Sequence, residues 1–534
     1  MSAIFQTEND IAMFLASLVT NPFFIIAVVF WAAIALLILV LGRFKKSKAL
    51  SVFFPFLAML KTTRLNRLLY KIAKKSPRTW KVIFTTGIFV SFSFTVYGFW
   101  YFISNLVTLL THIENPEPSS QITPLVPGLT IDFSTFTYLI IPILFVLTVH
   151  EFSHAIAANS DGIHVKSTGV LGMGAFFIIG FGAFVEIDEK AYKHGKFSGW
   201  QKTRLAAAGS FSNAILAGIA LLLLVNFTAV VSLSWGAPIG LYITNVYPSS
   251  QGGHNQGNLY PGDVLLKING TALNNYKFNG SVVENVRLAL SYYLYYNVTQ
   301  NDTLYCLILR NNVYQNITVY TGIPPSDFKN KSIAFIGIQS EEWWPPKDWL
   351  GNWLGGTAPN TLFLETFWLF QIAISVTIFN MMPLPIFDGD KCVYEILNHF
   401  IKPRKEKKTI TERFVLTKEE KTCELRKANA EQVVKVLMVP NNDDRDKSLV
   451  ELAEHKDYQV TDSDEDGKID HVTFELSERN LDGKQVEVEY VAEVDATEGK
   501  KRVVMNVIRV LSLAIILCNF IVSGLTMGFT MPFG

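Results

Sequence analysis

The 534-residue chain contains few cysteines and few charged residues for its length. Its four cysteines lie far apart and include no Cys-x-x-Cys pair, which argues against a disulfide scaffold and against a thiolate zinc site. Charged side chains make up 17% of the residues, whereas soluble globular proteins carry roughly a quarter. Because 47 basic residues nearly balance 46 acidic ones, the net charge gives no reason to expect a nucleic-acid partner. Apolar side chains are abundant instead, at 49%, and this balance indicates a membrane protein.

Apolar runs of about 20 residues, long enough to cross the hydrocarbon core of a bilayer as a helix, occur six times. The predicted spans lie near Pro22–Leu41, Val82–Leu110, Phe136–Ala158, Leu205–Leu233, Thr361–Met382 and Val503–Met527. The first run lacks a small-residue cleavage site after a short apolar core, so we expect a span and not a removed signal peptide. The predicted fold class is a polytopic α-helical membrane protein with about six transmembrane helices.

The distribution of Lys and Arg predicts the orientation, because short cytoplasmic loops carry an excess of basic residues. From Arg43 to Lys81 there are twelve basic residues and no acidic one. Between Thr111 and Ser134 there are three acidic residues and no Lys or Arg. The first loop is therefore expected inside and the second outside, and alternation places residues 235–360 outside and 401–502 inside.

The segment from residue 236 to 350 has the features of an external domain. Two strand-like runs, Leu241–Val246 and Val264–Ile268, are separated by Gly- and Asn-rich turns. Glycosylation of Asn-x-Ser/Thr sequons requires an external face, so their presence supports the same orientation from different residues. The six sequons begin at Asn269, Asn279, Asn297, Asn301, Asn316 and Asn330.

The internal segment from residue 401 to 502 holds 25 of the chain's 46 acidic residues. Its alternating run from Val486 to Val491 is typical of a half-buried strand, and we predict a small soluble α+β module.

Part of this module resembles a calcium-binding loop, with Asp462, Asp464 and Asp466 as the first ligands. The twelfth position is Thr473 where such loops carry Glu, and a typical cytoplasm offers little free calcium. The pattern therefore favours a solvated acidic turn over a weak Ca²⁺ site.

The sequence His150-Glu151-Phe152-Ser153-His154 lies at the predicted cytoplasmic end of the third span. On a helix, positions i and i+4 share one face, so both imidazoles can reach one metal ion. Glu151 sits beside them, where it can deprotonate a metal-bound water. Ionisable side chains at membrane depth are costly and usually functional, and a shared metal would satisfy all three.

A catalytic zinc usually has three protein ligands and a water, so the two histidines leave one ligand to be found. The candidate is Asp388 in the run Asn-Met-Met-Pro-Leu-Pro-Ile-Phe-Asp-Gly that begins at Asn380. Pro383 and Pro385 interrupt the preceding span, which can direct the carboxylate into the helix bundle. The alternative is that Asp388 caps a following amphipathic helix; beside an intramembrane HExxH motif we favour the ligand.

HExxH in one span with Asn380, Pro383, Asp388 and Gly389 in a later one resembles the site-2 protease family of intramembrane zinc metalloproteases. The run Gly209-Ser-Phe-Ser-Asn213 is similar to the family's small-residue/Asn element. Gly182-Ala-Phe-Val185 is similar to the eukaryotic-type and related archaeal branch. Two positions depart from the family pattern: Ser210 stands where many members have Pro, and Asp390 stands where a Gly or neutral residue is frequent.

The resemblance implies roles for individual residues. His150, His154 and Asp388 would bind one zinc ion, and Glu151 would act as general base and then as proton shuttle. Asn380 would hold the substrate backbone beside the metal. Gly209 and Asn213 would let the core helices pack closely and support the site, as small residues do in membranes.

Five glycines between Gly169 and Gly182 follow the HExxH span. They are compatible with a flexible cytoplasmic loop or with a re-entrant hairpin bordering the site, and we favour the hairpin because glycine allows unusual backbone angles.

The external segment resembles PDZ domains through its run from Leu259 to Gly270, which is similar to their Gly-Asp-x-Ile-x-x-Ile-Asn-Gly signature. PDZ grooves take an extended chain as an added strand. A domain inserted between the catalytic spans is expected to gate access to the site; a rigid spacer is the alternative.

The resemblance predicts an endopeptidase that cuts transmembrane helices in the lipid bilayer, after another protease has trimmed them, as in regulated intramembrane proteolysis. An archaeal plasma membrane is the expected location, with a eukaryotic endomembrane as the alternative. A catalytically inactive member that sequesters membrane proteins is a second class of function. A CAAX-type protease is a third, but it usually takes Glu as its third ligand.

These features divide the chain into six regions. They are an N-terminal membrane region (1–134), a catalytic membrane core with HExxH (135–235), an external PDZ-like domain (236–350), a second catalytic membrane segment (360–400), a cytoplasmic module (401–502) and a C-terminal span (503–534).

Overall fold

The structure is a computed structural model, and the part of the chain that it describes has several gaps. The described residues are 50–53, 57–113, 117–125, 130–131, 133–175, 178–187, 197–249, 253–324, 333–416, 421–425, 430–439, 450–462, 469–475 and 485–527. The predicted span Pro22–Leu41 lies outside them, as do Asn330, Asp464 and Asp466.

The described residues form ten α-helices and nineteen strands. The helices are α1 (Thr63–Lys75), α2 (Pro77–Thr111), α3 (Phe133–Asp161), α4 (Gly199–Val225), α5 (Phe227–Val231), α6 (Val286–Asn297), α7 (Trp349–Leu354), α8 (Ala358–Asn380), α9 (Asp388–Phe400) and α10 (Glu498–Met527). The strands are β1 (Leu50–Phe53), β2 (Leu57–Thr62), β3 (Val165–Ala175), β4 (Ile178–Ile187), β5 (Gly240–Val246), β6 (Val264–Ile268), β7 (Thr271–Ala272), β8 (Lys277–Phe278), β9 (Ser281–Val282), β10 (Thr303–Arg310), β11 (Val313–Tyr320), β12 (Ile338–Trp343), β13 (Lys405–Val415), β14 (Thr422–Glu424), β15 (Ala430–Val439), β16 (Val450–Glu451), β17 (Tyr458–Thr461), β18 (His471–Phe474) and β19 (Gln485–Asp495).

Among the described residues, five helices are long and apolar enough to cross a membrane: α2, α3, α4, α8 and α10. Each coincides with one of the predicted spans, and the chain is an integral membrane protein. The predicted spans and the observed helices differ mainly in the residues at which they begin and end. The predicted span Leu205–Leu233 is divided, because α4 ends at Val225 and the short α5 follows. Helix α8 ends at Asn380, three residues before Pro383, as the prolines predict.

The chain forms two compact units. Among the described residues, the first unit comprises those up to Thr137, those from Ile143 to Ile215 and those from Ala373 onward, and the second comprises Tyr138–Pro142 and those from Leu216 to Ile372.

In the first unit, the glycine-rich segment after the HExxH helix forms a β-hairpin. Strands β3 and β4 pair antiparallel, and β2 and β1 extend the sheet in the order β1-β2-β3-β4. The base of the hairpin packs on α3, where Val185 and Ile187 contact a buried cluster that includes Ala155 and Ala158. A β-hairpin is therefore present where the glycines predicted one, next to the helix that carries HExxH, and its re-entrant position in the membrane stays a prediction.

The first unit also contains the acidic module between α9 and α10. Strands β13, β19, β15 and β16 form one sheet, and β14, β18 and β17 form another. The alternation of the sequence buries every second residue of β19, including Val486, Val488 and Tyr490. The described residues between Phe400 and Glu498 contain strands and no helix, and the α+β composition expected of the whole module stays a prediction.

Strand pairing and hydrogen bonds join the two ends of this module. Strands β13 and β19 pair in register from Lys405–Asp495 to Val415–Gln485. The Asp495 carboxylate accepts hydrogen bonds from the Arg404 backbone N–H (3.0 Å) and from the buried Lys501 ammonium (2.6 Å). Burial alone would raise the pKa of Asp495, but the hydrogen bonds from Lys501 and Thr497 hold it below its ordinary value. The chain therefore enters and leaves the module at adjacent points.

In the second unit, five strands form a sheet in the order β11-β10-β6-β5-β12, with β7 paired to β6. Helix α6 covers one face of this sheet, and Leu241, Ile268 and Leu290 belong to the shared core. The strands predicted from Leu241–Val246 and Val264–Ile268 are β5 and β6. The ends of the domain meet, because the Gly236 N–H donates to the Pro345 carbonyl at 2.7 Å.

Candidate metal centre

The two histidines of HExxH lie one turn apart on α3, and both face the first residue of α9. The Nε2 atoms of His150 and His154 are 3.1 Å apart. The Oδ2 atom of Asp388 lies 3.2 Å from the first Nε2 and 3.0 Å from the second. All three residues are buried, with at most 9% of their surface exposed. The structure thus brings together the two histidines and the distant carboxylate that the sequence analysis paired with them.

The turn between α8 and α9 fixes the position of Asp388. A Cβ on Gly389 would overlap the Met381 carbonyl, so this turn requires glycine. The same carbonyl accepts a hydrogen bond from Thr95 of α2 at 2.9 Å. Asp388 is the first residue of α9, whose N-cap residue is Phe387, and the Asp388 N–H donates to Asn380 Oδ1 at 3.5 Å. Its carboxylate faces the histidines, so the geometry favours the ligand over the capping alternative.

Asn380, at the end of α8, contacts the same cluster. Its Nδ2 donates to Asp388 Oδ2 at 2.8 Å and to Ser210 Oγ at 3.3 Å, and lies 3.2 Å from His150 Nε2. The amide therefore restrains the carboxylate directly. This contact adds to the substrate-binding role that the sequence analysis expected, and that role stays a prediction.

Helix α4 supplies the opposite wall of the cluster. A Cβ on Gly209 would lie 2.5 Å from the imidazole atoms of both His150 and His154. The Leu205 carbonyl, one turn earlier, accepts a hydrogen bond from His154 Nδ1 at 2.7 Å. One turn later, the Asn213 amide lies 3.0 Å from His150 Nδ1. Gly209 and Asn213 thus contact the histidines themselves, which is more than the helix packing inferred from the sequence.

The donor set fits a metal ion. One nitrogen from each histidine and one carboxylate oxygen lie within 4.8 Å of one another. Two imidazoles and one carboxylate are a common protein ligand set for catalytic zinc, which keeps a further position for water. The outward nitrogen of each imidazole has a partner on α4, as histidine ligands of metals usually require. Glu151 follows His150 on α3 and is half-buried.

The sequence analysis did not predict two ion pairs formed by residues of α3 and α9. Asp161, at the end of α3, accepts two hydrogen bonds from Arg204 of α4 at 2.7 and 2.8 Å. Asp390, two residues after Asp388, accepts two from Arg509 of α10, both at 2.7 Å. The departure at Asp390 from the family pattern was the available signal for the second pair, but the sequence does not reveal its partner.

The Asp390–Arg509 pair should contribute measurably to stability. Replacing Arg509 with Met leaves a largely buried carboxylate unpaired, and a double-mutant cycle with Asp390→Asn should give a coupling energy of about 1.5–3 kcal/mol. The matched control is Arg413–Glu487, a 2.8 Å pair in which the Arg side chain is 73% exposed. Its coupling should be about 0–1 kcal/mol. Unfolding free energies in mixed micelles would measure both, and equal values would contradict the assignment.

Fold and site together define an integral membrane protein with a buried, metal-capable His–His–carboxylate cluster. The sequence pattern of peptidase family M50 matches residues 138–417. The chain belongs to this family, the site-2 protease family.

Two relatives are similar over part of the chain. An uncharacterized protein of Methanocaldococcus jannaschii is 26% identical over 274 residues, which cover 50% of this chain and 58% of the relative. The membrane-bound transcription factor site-2 protease homolog of Arabidopsis thaliana is 26% identical over 218 residues, which cover 40% of this chain and 39% of the relative. The chain spans less than two thirds of the length of either relative.

Proposed function

We propose that this protein is a zinc-dependent endopeptidase that cleaves transmembrane helices within the lipid bilayer. The proposal rests mainly on one observation: His150, His154 and Asp388 converge on one point. The two histidines and the neighbouring Glu151 lie on α3, a helix of membrane-spanning length. Family membership supports the same class of chemistry.

In the proposed mechanism, His150, His154 and Asp388 would hold a zinc ion, which would supply Lewis-acid polarisation of the scissile carbonyl and acidify a water molecule, as zinc does in other metalloproteases. Glu151 accepts the proton from the attacking water and then donates it to the leaving amine. Asn380 keeps the Asp388 carboxylate in place through its 2.8 Å hydrogen bond. Burial of the three ligands strengthens these electrostatic interactions, because the surroundings are poorly polarisable.

The substrate must unwind before it can react. In a bilayer its carbonyls are engaged in the helical hydrogen bonds, and an exposed backbone is tolerated only where it finds partners in protein or water. Strand β4 ends its sheet with no neighbour on the outer side among the described residues, and its base packs on α3. We infer that an unwound substrate pairs with this edge as an added strand. Small or helix-breaking residues near the cut should therefore favour cleavage.

The direct test is cleavage of a panel of single-span substrates in proteoliposomes by the purified full-length chain. Wild-type protein should cut them, a zinc chelator should stop cleavage, and added Zn²⁺ should restore it. Absence of cleavage by folded, zinc-loaded protein on every substrate would instead support the catalytically inactive alternative.

The inserted domain of the second unit is proposed to be PDZ-like and to select substrates. Strand β12 lies at one edge of its sheet, and α6 lies beside it, with the Val286 N–H donating to the Glu342 carboxylate at 2.9 Å. An edge strand next to a helix is the arrangement that takes an extended peptide.

Removing this domain should broaden substrate use. Since β12 pairs with β5, the excision must include both strands, and a short Gly-Ser linker replacing residues 239–343 can join ends that already meet at Gly236 and Pro345. We expect the shortened chain to cut substrates with large external domains as readily as trimmed ones, whereas the full chain should prefer trimmed ones. Competition between tagged long and short substrates would measure the preference, and an unchanged preference would indicate a spacer.

We further propose that the inserted domain faces outward and the acidic module faces the cytoplasm. The five sequon asparagines that the structure describes are all exposed, as glycosylation would need. A role as the second cut in regulated intramembrane proteolysis, on substrates trimmed by another protease, belongs to the same proposal and is supported by the family.

A further inference from the structure

Asn213 is buried in α4 with no surface exposed, and half of its amide lacks a partner. Its Nδ2 lies 3.0 Å from His150 Nδ1, while its Oδ1 has no hydrogen-bond partner in the described part of the chain. In either orientation of the amide, one of its two polar atoms lacks a described partner, and burying that atom is costly. The contact with His150 therefore calls for an explanation.

The hydrogen bonds show which ring nitrogen carries the proton in His154 but not in His150. The partner of His154 Nδ1 is the Leu205 carbonyl, which can only accept, so Nδ1 carries the proton and Nε2 offers its lone pair to the cluster. His150 also directs its Nε2 at the cluster, with Asp388 Oδ2 at 3.2 Å. To bind a metal through Nε2, His150 must likewise carry its proton on Nδ1.

That proton needs an acceptor, and Asn213 is the side chain in reach. The amide orientation of Asn is assigned from its hydrogen bonds, and turning the group by 180° exchanges Oδ1 and Nδ2. With His150 Nε2 protonated, Nδ2 donates to the ring; with Nδ1 protonated, Oδ1 accepts from it. We propose, on the basis of the proposed function, that Asn213 is a positioning residue whose Oδ1 accepts the Nδ1 proton of His150 and holds Nε2 ready for the metal.

The spacing along α4 gives this proposal an independent basis. Leu205, Gly209 and Asn213 are four residues apart and therefore share one face of the helix. The first orients His154, the second makes room for both rings, and the third contacts His150. The Asp161–Arg204 pair fastens this end of α4 to α3. One helix face thus serves both ligands.

The test is metal affinity and not activity alone. Metal-free full-length protein in detergent micelles is titrated with Co²⁺, whose visible absorption reports the coordination geometry, and Zn²⁺ affinity follows by competition. Asn213→Leu should weaken Zn²⁺ binding about 10–100-fold and change the Co²⁺ spectrum. Asn213→Asp keeps an acceptor at the same place and should bind within a few-fold of wild type. The matched control is Asn519→Leu, a fully buried amide in α10 that contacts Phe102 and Asn105, which should bind normally.

The outcomes separate this inference from the proposed function. If wild type binds Zn²⁺ and Asn213→Leu binds it equally well, or if Asn213→Asp loses as much affinity as Asn213→Leu, the positioning role is wrong. If wild type binds no better than His154→Ala, the metal centre itself is wrong. Thermal melting of the metal-free variants shows whether a loss reflects unfolding.

Discussion

Replacing Glu151 with Gln is expected to lower the rate of peptide-bond cleavage by about 10²–10⁴-fold while leaving zinc bound. The amide has nearly the shape of the carboxylate but cannot accept the proton of the attacking water, and a positioned general base typically contributes a factor of this size. Because Glu151 is not among the three converging ligands, its loss should not weaken metal binding. Single-turnover cleavage in proteoliposomes, with zinc content measured on the same preparation, would check both halves.

The informative comparison is with a ligand variant. Asp388→Ala should lose zinc and activity together, since it removes the one carboxylate of the cluster and the partner of Asn380. If Glu151→Gln also lost zinc, the residue would be a ligand or a structural support. If it cleaved as fast as wild type, a contaminating protease or another base would be responsible. The two variants together separate binding of the metal from transfer of the proton.

The parts of the site that could be predicted from the sequence are those encoded by local spacing. Two histidines four residues apart on a helix must share a face, and prolines after α8 must end it, so His150, His154 and Asp388 could be named in advance. The hairpin and strands β5, β6 and β19 followed from glycines or alternation in the same way. Each of these features depends on neighbours in the chain.

The remaining features depend on contacts between distant segments. The sequence around Asp390 does not indicate that its carboxylate contacts Arg509, which lies 119 positions further along the chain. The Leu205 carbonyl is invisible in the sequence, because any residue there would offer the same atom. Gly209 and Asn213 could be singled out through their resemblance to the family's small-residue/Asn element, but only the packing of α4 on α3 shows that they contact the histidines.

Helix α4 therefore holds the two histidines of the metal centre in position. It packs most closely against them at Gly209, where there is no room for a side chain. At Gly209 even a methyl group would lie 2.5 Å from an atom of each imidazole, a separation that real Cβ contacts do not show. The rings are held on their other sides by Asp388 and by hydrogen bonds to Leu205 and Asn213, so they cannot move away without losing a partner. The geometry of the metal site therefore depends on the close packing of α3 on α4 at Gly209.

Gly209→Ala should consequently reduce cleavage by at least about a hundredfold, the loss that a displacement of about 1 Å at a catalytic group can cause. Zinc affinity should fall in the same variant, because the two Nε2 atoms can no longer converge on one point. The matched control is Gly218→Ala on the same helix, where an added Cβ meets nothing within 4 Å and neither quantity should change. Cleavage rates and zinc competition on both variants decide the matter. Normal zinc binding by Gly209→Ala would mean that α4 can shift away from α3, and that the glycine is not what holds the two histidines together.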